Sequence, residues 1–193
     1  MRSQHYLPVP AEASAGRRQL QLAVIDQEGM PLAAAINLSE LEIEVPERRM
    51  TLPIIENPME INLDDEVIFL GYDLRTTVVK PGDTLRLTLY WQARRETTGW
   101  YKVFTHLLDD RERIWAQKDS VPLGGTRQTT GWVSGELIVD EYELVVESGA
   151  PGGDYILEVG MYEDGTGQRL RVLNEGGQAV GDRILLEKVR VEL

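Results

Sequence analysis

Histidine and serine are the first residues to weigh for catalysis, and the chain holds only two histidines, His5 and His106. Because His5 lies in an aperiodic start, a Ser-His-Asp triad would have to combine His106 with Asp119 and with Ser120 or Ser134. The Gly-x-Ser-x-Gly turn that exposes a nucleophilic serine does not occur in the sequence. We therefore predict that this chain is not an enzyme.

Paired carboxylates are a second source of chemistry, because glycoside hydrolysis uses two acids that face each other at roughly 5 to 9 Å. Asp109 and Asp110 form such a pair in sequence. They fall where a hairpin turn is predicted, and Asp is favoured in turns because its side chain bonds the local backbone. The turn interpretation is therefore preferred, and a free-standing hydrolase ranks last among the functional readings.

Asp140 is an acid that the strand pattern places among apolar residues. It is in phase with Ile138, Tyr142 and Leu144, so its carboxylate should point to the buried side of a strand. A buried carboxylate requires a partner. An internal hydrogen bond is favoured, and calcium on oxygen ligands is the functional alternative. With no cysteine in the chain, thiolate metal sites are excluded, and no other cofactor is predicted.

Aromatic residues provide the best candidates for ligand binding, because exposed rings stack on the apolar faces of sugars. Trp100, Trp115 and Trp132 lie near predicted strand ends or loops, whereas Trp91 shares the phase of core aliphatic residues. Carboxylates and polar side chains would bind the sugar hydroxyls. The predicted ligand-binding set is Trp100, Trp115, Trp132, His106, Asp119 and Asp140.

Charge and hydropathy limit the range of partners. The 193 residues carry a formal net charge of -12, with acids spread along the chain. Such a surface repels phosphate backbones and anionic headgroups, which argues against nucleic-acid and peripheral membrane binding. No apolar run approaches the roughly 18 residues of a membrane helix, and the first residues lack the apolar segment of a signal peptide. No direct membrane insertion by this chain is predicted.

Alternation of apolar and polar residues predicts the elements that must position these side chains. In Thr84 to Trp91, every second residue is apolar, and Pro81 and Gly82 form the turn before it. This pattern of alternating segments between turns predicts eight strands: Val67 to Leu74, Thr84 to Ala93, Trp100 to Leu108, Arg113 to Gln117, Leu137 to Val146, Asp154 to Tyr162, Arg169 to Leu173 and Ile184 to Val191. We predict an all-β, antiparallel β-sandwich of the immunoglobulin or jelly-roll kind, with a closed barrel as the alternative.

Four segments are predicted along the chain. Residues 1–19 are a linker or disordered, and residues 20–45 form a strand pair from Leu20 to Ile25 and from Ile36 to Val45. Residues 46–63 contain three prolines and are predicted to be an extended connector. The sandwich domain then covers residues 64–193.

An internal repeat relates the two ends of the chain. Residues 24–45 align without a gap on residues 172–193, with Gly29 on Gly177 and Ile36 on Ile184. The strand pair therefore resembles the closing strands of a preceding repeat. Because two strands alone cannot bury an apolar face, the pair must dock on the following sandwich or on another copy of the chain, and the second option predicts a homodimer.

The runs GYDL, KPGDTLRLTLYW, VFTHLLDD, GGTRQTTGWVSGE and GDYILEVGMYEDGTGQRL resemble the extracytoplasmic β-sandwich domain of bacterial multi-spanning membrane glycosyltransferases. Those enzymes are similar to the family 39, protein O-mannosyltransferase-like group. The resemblance covers about Leu52 to Leu193. Its signature positions correspond to Tyr72, Pro81, Gly82, Trp91, His106, Asp119, Trp132, Gly135, Asp140, Tyr155, Gly160 and Tyr162.

The resemblance implies an extracytoplasmic location, as the soluble part of a membrane-anchored protein, with catalysis in a part of the enzyme that this chain does not contain. The predicted function is a non-catalytic accessory module that binds glycan. The alternative is a purely structural or protein-interaction module, for which exposed edge strands would matter more than aromatic residues.

Overall fold

The computed structural model describes Leu7 and residues 9–193, and it is built almost entirely from β-strands. These residues divide into two compact units, one up to Glu47 and one from Arg48 to Leu193. The first unit holds β1 (Gly16–Leu22) and β2 (Ile36–Ile43). The second unit holds β3 (Asn57–Leu63), β4 (Val67–Leu74), β5 (Val78–Val79), β6 (Thr84–Ala93), β7 (Tyr101–Leu108), β8 (Ile114–Ser120), β9 (Leu137–Val145), β10 (Gly153–Glu163), β11 (Val172–Leu173), β12 (Ala179–Gly181) and β13 (Ile184–Val191).

The second unit is a sandwich of two sheets. One sheet has five strands in the order β5-β13-β10-β7-β8, and the other has six in the order β12-β11-β3-β4-β6-β9. Every pairing is antiparallel except the two-residue contact of β5 with β13. The predicted all-β antiparallel sandwich is confirmed, and the barrel alternative is wrong because each sheet ends in its own edge strands. Within the described residues, no helix is long and apolar enough to cross a membrane.

The core lies between the two sheets and follows the alternation in the sequence. On β6, Leu85, Leu87, Leu89 and Trp91 are all buried. Residues of β7 and β10 meet them from the five-stranded sheet. Burial of each large aliphatic side chain stabilises the fold by about 1.5 to 3 kcal/mol, so this single alternating strand makes a large contribution to the stability of the sandwich.

Strand boundaries agree well where alternation is uninterrupted. Three strands have their predicted limits, β4, β6 and β13. The predicted strand from Arg169 to Leu173 shrinks to the two residues of β11, with Arg169 in an isolated bridge to Tyr162. The short strands β5 and β12 were not predicted, because two or three residues are too few to show a period.

The predicted connector over residues 46–63 is wrong in its last third. β3 occupies Asn57 to Leu63 and pairs with both β4 and β11, so the sandwich begins before residue 64. Pro58 is tolerated inside β3 because the register with β4 shifts between Pro58 and Ile61. At such a bulge, the missing proline N–H removes no regular ladder bond.

The predicted strand pair exists in the first unit as an antiparallel hairpin. Its register runs from Gly16 opposite Ile43 to Leu22 opposite Ile36. β1 begins at Gly16, so the predicted linker over residues 1–19 is four residues too long at its end. Residues 1–6 and 8 of that predicted linker lie outside the described residues.

Candidate functional site

Three of the six predicted ligand-binding residues, Trp100, His106 and Asp119, are placed by strand alternation on one face of the five-stranded sheet, and His106 and Asp119 are in contact there. On β7, Val103 and Leu107 belong to the core, so the side chains of Phe104 and His106 point to the opposite side of the sheet. We call this side, turned away from the six-stranded sheet, the outer face. Asp119 of β8 lies directly opposite Phe104 in the ladder. Trp100 immediately precedes β7 and continues the same alternation.

His106 is the centre of a charged cluster on the outer face. Its Nδ1 lies 2.8 Å from Glu158 Oε1 on β10, and its Nε2 lies 3.3 Å from Asp119 Oδ1. Glu158 also binds Arg183, whose Nη1 lies 2.9 Å from Oε2, and Arg169 lies 3.5 Å from Oε1. Both ring nitrogens of His106 therefore face carboxylates.

This arrangement sets the protonation of the cluster. Burial by itself lowers the pKa of His106, but hydrogen bonds to Asp119 and Glu158 outweigh it and raise the pKa above its ordinary value. Burial likewise raises the pKa of Glu158, and its bonds to His106 and Arg183 more than compensate, so that this pKa falls. The geometry favours an imidazolium between two carboxylates.

A catalytic triad is not assembled here. Neither ring nitrogen of His106 contacts a serine hydroxyl, because both are engaged by carboxylates. The Ser120 hydroxyl donates to the carbonyl of Val121 at 2.7 Å, and the Ser134 hydroxyl donates to the carbonyl of Arg94 at 3.1 Å. The cluster is arranged for ion pairing and not for activation of a nucleophile.

Phe104 lies beside His106 and completes the buried part of the outer face. Its ring is covered by the guanidinium of Arg169, with 4.1 Å between the Arg169 Cζ and the ring centroid. A Cβ on Gly160 would approach this ring to 2.5 Å, so glycine is required at that position for the ring to lie flat on the sheet. Phe104 itself is therefore unavailable to a ligand, unlike Trp100.

Trp100 is the most exposed aromatic residue of the outer face among the described residues. Half of its surface, 50%, is exposed. Its carbonyl accepts a hydrogen bond of 2.9 Å from the backbone N–H of Asp164, just beyond β10. The Asp164 carboxylate in turn lies 2.6 Å from Lys102 Nζ, on β7 two residues after Trp100. An exposed indole thus stands beside an ion pair that is partly open to solvent.

Trp115 and Trp132 do not fit the predicted ligand-binding role, because neither is exposed. Trp132 is fully buried in the core. Trp115 is also buried, its Nε1 donates to Asp109 Oδ2 at 2.8 Å, and the Arg113 guanidinium covers its ring at 3.9 Å. A hollow of about 560 Å³ with Asp109 and Asp154 in its lining opens next to Trp115, but Arg113 occupies the ring face that a sugar would need.

Asp140 lies in the other sheet, on β9, and does not join His106 and Asp119. It is fully buried, as predicted. Its Oδ1 accepts a hydrogen bond of 2.8 Å from the Leu123 N–H, and its Oδ2 accepts one of 2.7 Å from the Tyr142 hydroxyl. These donors confirm the internal hydrogen bond, and the described residues contain no group of three or more acids or histidines that could hold a metal ion.

Neutralising Asp140 is expected to change how stability depends on pH. Burial raises the pKa of Asp140 from 3.8 to about 6, although the bonds from Tyr142 and Leu123 oppose the shift. The folded state then holds a proton that the unfolded state has lost, so stability should fall by up to about 3 kcal/mol as pH rises from about 4 to 6. In Asp140→Asn, which keeps an acceptor for Leu123, this fall should disappear.

Urea unfolding of wild type and Asp140→Asn between pH 4 and 7.5 measures the effect. Asp110→Asn, in an exposed turn, is the matched control and should follow the wild-type profile. Identical slopes in wild type and Asp140→Asn would contradict the proposed burial effect.

Several important charged residues cannot be identified from the sequence pattern. Glu136 is buried, and its two carboxylate oxygens each lie 2.5 Å from an arginine, Arg48 and Arg127. Glu158 and Arg183 of the His106 cluster were missed as well. Glu158 alternates with the core residues Leu157 and Val159, so its side chain points to the outer face, where side chains are ordinarily solvated. Only the opposing side chains from other elements show that it is buried.

No known protein family and no curated protein matches this sequence. Similar solved structures include the CARDB domain of the PF1109 protein from Pyrococcus furiosus, determined in complex with di-metal ions. Its TM-score is 0.38 at 13% identity, over 77% of this chain and 100% of that domain. A chain of the CaDoc0917–CaCohA2 complex has a TM-score of 0.28 at 16% identity, over 63% of this chain and 98% of its own. Neither similarity is high enough to relate functions.

Proposed function

We propose that this chain is a non-catalytic β-sandwich accessory module that binds glycan on the outer face of its five-stranded sheet, at Trp100. The observation that carries the proposal is the half-exposed indole of Trp100 beside the ion pair of Lys102 and Asp164. The resemblance to domains of membrane glycosyltransferases supports an extracytoplasmic location and an envelope glycan as the ligand.

Recognition at this surface would combine two kinds of contact. The Trp100 ring stacks on the apolar face of a pyranose. Lys102 donates to sugar hydroxyls, whereas Asp164 and the partly exposed Asp119 accept from them. The net charge of -12 favours a neutral glycan over an acidic one. His106 lies on the same face, further along β7, and holds Asp119 in place.

The Trp100→Ala variant tests this proposal on an array of bacterial envelope glycans, followed by titration calorimetry with each glycan that binds. We expect wild type to bind and Trp100→Ala to lose about tenfold or more in affinity, since one stacked aromatic ring is worth on the order of 1.4 kcal/mol. Val145→Ala removes an exposed apolar side chain from β9 in the other sheet and should bind as wild type does.

Tryptophan fluorescence gives a second readout of the same site. Trp91, Trp115 and Trp132 are buried, so quenching by a soluble agent should report mainly on Trp100. A bound glycan should protect this emission in wild type. If no envelope glycan binds, or if Trp100→Ala binds as tightly as wild type, the proposal fails.

The second candidate function is a structural or protein-interaction module. It is favoured by a different observation, the exposed apolar residues of the first unit, which include Leu22, Ile36 and Leu41. The two functions differ in which variants disable the protein: changes at Trp100 for glycan binding, and changes on β1 and β2 for interaction.

A further inference from the structure

The hairpin of the first unit repeats the last part of the sandwich down to individual hydrogen bonds. In the first unit, Asp26 Oδ1 accepts from the N–H groups of Glu28 and Met30 at 2.9 and 2.8 Å. In the sandwich, Asn174 Oδ1 accepts from Gly176 and Gln178, both at 3.0 Å. Each acceptor and donor in the second turn lies 148 residues after its counterpart in the first.

The backbone of the two turns agrees as well. Gly29 has φ of 83° and its N–H donates to the Asp26 carbonyl at 3.1 Å, whereas Gly177 has φ of 74° and donates to the Asn174 carbonyl at 2.9 Å. The same shift of 148 residues relates β2, Ile36–Ile43, to β13, Ile184–Val191. The sequence repeat is therefore also a structural repeat.

Strand pairing extends the correspondence to β1 and β10. The β1–β2 ladder begins with Gly16 opposite Ile43 and ends with Leu22 opposite Ile36. At the corresponding positions, the β10–β13 ladder begins with Gly153 opposite Val191 and ends with Val159 opposite Ile184. Both ladders contain one register shift, next to Gln21 in the first unit and next to Glu158 in the sandwich, its counterpart. The hairpin β1–β2 thus has the fold of the closing pair β10–β13.

What differs between the two pairs is burial. The side chains of Leu22, Ile36 and Leu41 are 53%, 62% and 47% exposed. Their counterparts are Val159, Ile184 and Val189, which are 0%, 3% and 0% exposed because the six-stranded sheet covers them. The first unit therefore presents the inner face of a sandwich without the sheet that such a face requires.

The free edge of the hairpin, along β1, corresponds to the edge of β10 that β7 occupies in the sandwich. β10 pairs along its second edge with eight residues of β7, whereas β13 has only the two residues of β5 beyond it. Among the described residues, β1 pairs with β2 alone. Unpaired N–H and C=O groups along β1 can therefore accept an added antiparallel strand.

We propose that the hairpin β1–β2 is the closing strand pair of a second β-sandwich, and that its apolar face and β1 edge bind a β-sandwich domain lacking its own counterparts of β10 and β13. The partner supplies a strand like β7 along the β1 edge and an apolar sheet over Leu22, Ile36 and Leu41. A second copy of this chain does not meet that description, because the sandwich of every copy already contains β10 and β13.

A truncated sandwich made from this chain serves as the probe. The fragment of residues 48–149 retains β3 to β9 and lacks the closing pair β10 and β13 together with the short edge strands β11 and β12. Its tryptophans can be replaced by 5-fluorotryptophan. We expect the unlabelled full-length chain to bind this fragment one to one, with a dissociation constant in the micromolar range, and to shift the fluorine signals of Trp91 and Trp132 towards those of the folded sandwich.

Hydrogen exchange locates the contact on the full-length chain. Amides of residues 16–43 should gain at least about tenfold protection with the fragment, because strand addition and burial slow local opening. The variant Leu22→Asp/Leu41→Asp changes two exposed side chains and should fold as wild type, yet it should bind the fragment at least about tenfold more weakly.

Three results would overturn the proposal: no binding of the fragment, equal binding by the double-aspartate variant, or a concentration-dependent dimer of the full-length chain that this variant abolishes. The last result would establish the homodimer in place of the partner sandwich. None of these measurements contains a glycan, so their outcome is independent of glycan binding at Trp100.

Discussion

Replacing Glu158 by glutamine is expected to destabilise the sandwich by about 3 to 5 kcal/mol, the cost of removing one partner from a buried ion pair. Glu158 is buried and is shared by His106 at 2.8 Å and Arg183 at 2.9 Å. Glutamine keeps the volume of the side chain but removes its charge, so no cavity contributes to the loss. Urea or thermal unfolding near pH 6 measures it.

Glu143→Gln is the matched control for this change. Glu143 lies 2.9 Å from Arg86 Nε, the same distance as in the buried pair, but both side chains are more than half exposed. An exposed pair contributes at most about 1 kcal/mol. If the two variants lose similar stability, burial does not determine the strength of the Glu158 pairs.

The pH profile separates the ion pair from general damage. Since the pKa of His106 is raised above 6.5, its stabilisation is present below pH 6.5 and is lost as pH rises through the folded pKa. Since the pKa of Glu158 is lowered below 4.5, its stabilisation is present above pH 4.5 and is lost as pH falls through the folded pKa. The loss in Glu158→Gln should therefore be greatest between about pH 4.5 and 6.5.

NMR titration of His106 checks the cause directly. In Glu158→Gln the imidazole keeps Asp119 but loses its shorter carboxylate contact, so its pKa should fall relative to wild type. A pKa of His106 that does not change would contradict the predicted interaction.

Gly71→Ala is expected to cost about 4 kcal/mol or to prevent folding, because two penalties combine at one residue. Gly71 has φ of 132°, a backbone conformation that costs other residues about 1 to 3 kcal/mol. An added Cβ would also lie 2.3 Å from the carbonyl oxygen of Asn57 and 2.9 Å from Pro58 Cα. These are backbone atoms of β3, so β3 itself must move, at a further cost of about 1 to 3 kcal/mol.

Gly82→Ala separates these two penalties. Gly82 has φ of 90°, and its Cβ would meet no atom within 4 Å. The Gly82→Ala variant should therefore lose only the stability that the unfavourable φ costs, about 1 kcal/mol. Unfolding in urea, with circular dichroism as the signal, compares the two variants. Equal losses of stability in the two variants would show that the β3 backbone at Asn57 shifts at little cost in free energy.

The same two glycines show how far the sequence predicts this fold. The turn at Pro81 and Gly82 was predicted, because both residues have strong and local conformational preferences. Nothing in the sequence around Gly71 indicates that another strand passes so close to this residue. The strand that does so, β3, contains Pro58, and for that reason its segment is predicted from the sequence to be a connector. Proline argues against a strand only where its N–H would be needed, and the bulge in the β3–β4 register removes that need.

The candidate site shows a similar division. The phase of Asp140 correctly predicted a buried carboxylate with an internal partner, whereas the places of Trp115 and Trp132 near strand ends and loops do not decide between surface and core. Their burial depends on which segments fold over them, such as Arg113 over the ring of Trp115. Position along the chain carries little information about such covering contacts.

The sequence by itself determined most of the longer strands, their apolar faces and the repeat between the two ends of the chain, because alternation, turn residues and the aligned Gly29 and Gly177 are local properties. Tertiary structure alone decided that Glu158 is buried against His106, that Trp100 is the exposed tryptophan, and that the apolar face of β10–β13 is covered while that of β1–β2 is exposed. The physical reason is that burial and ion pairing depend on residues brought together from distant strands. The strand pattern specifies which face is apolar but not what lies against it.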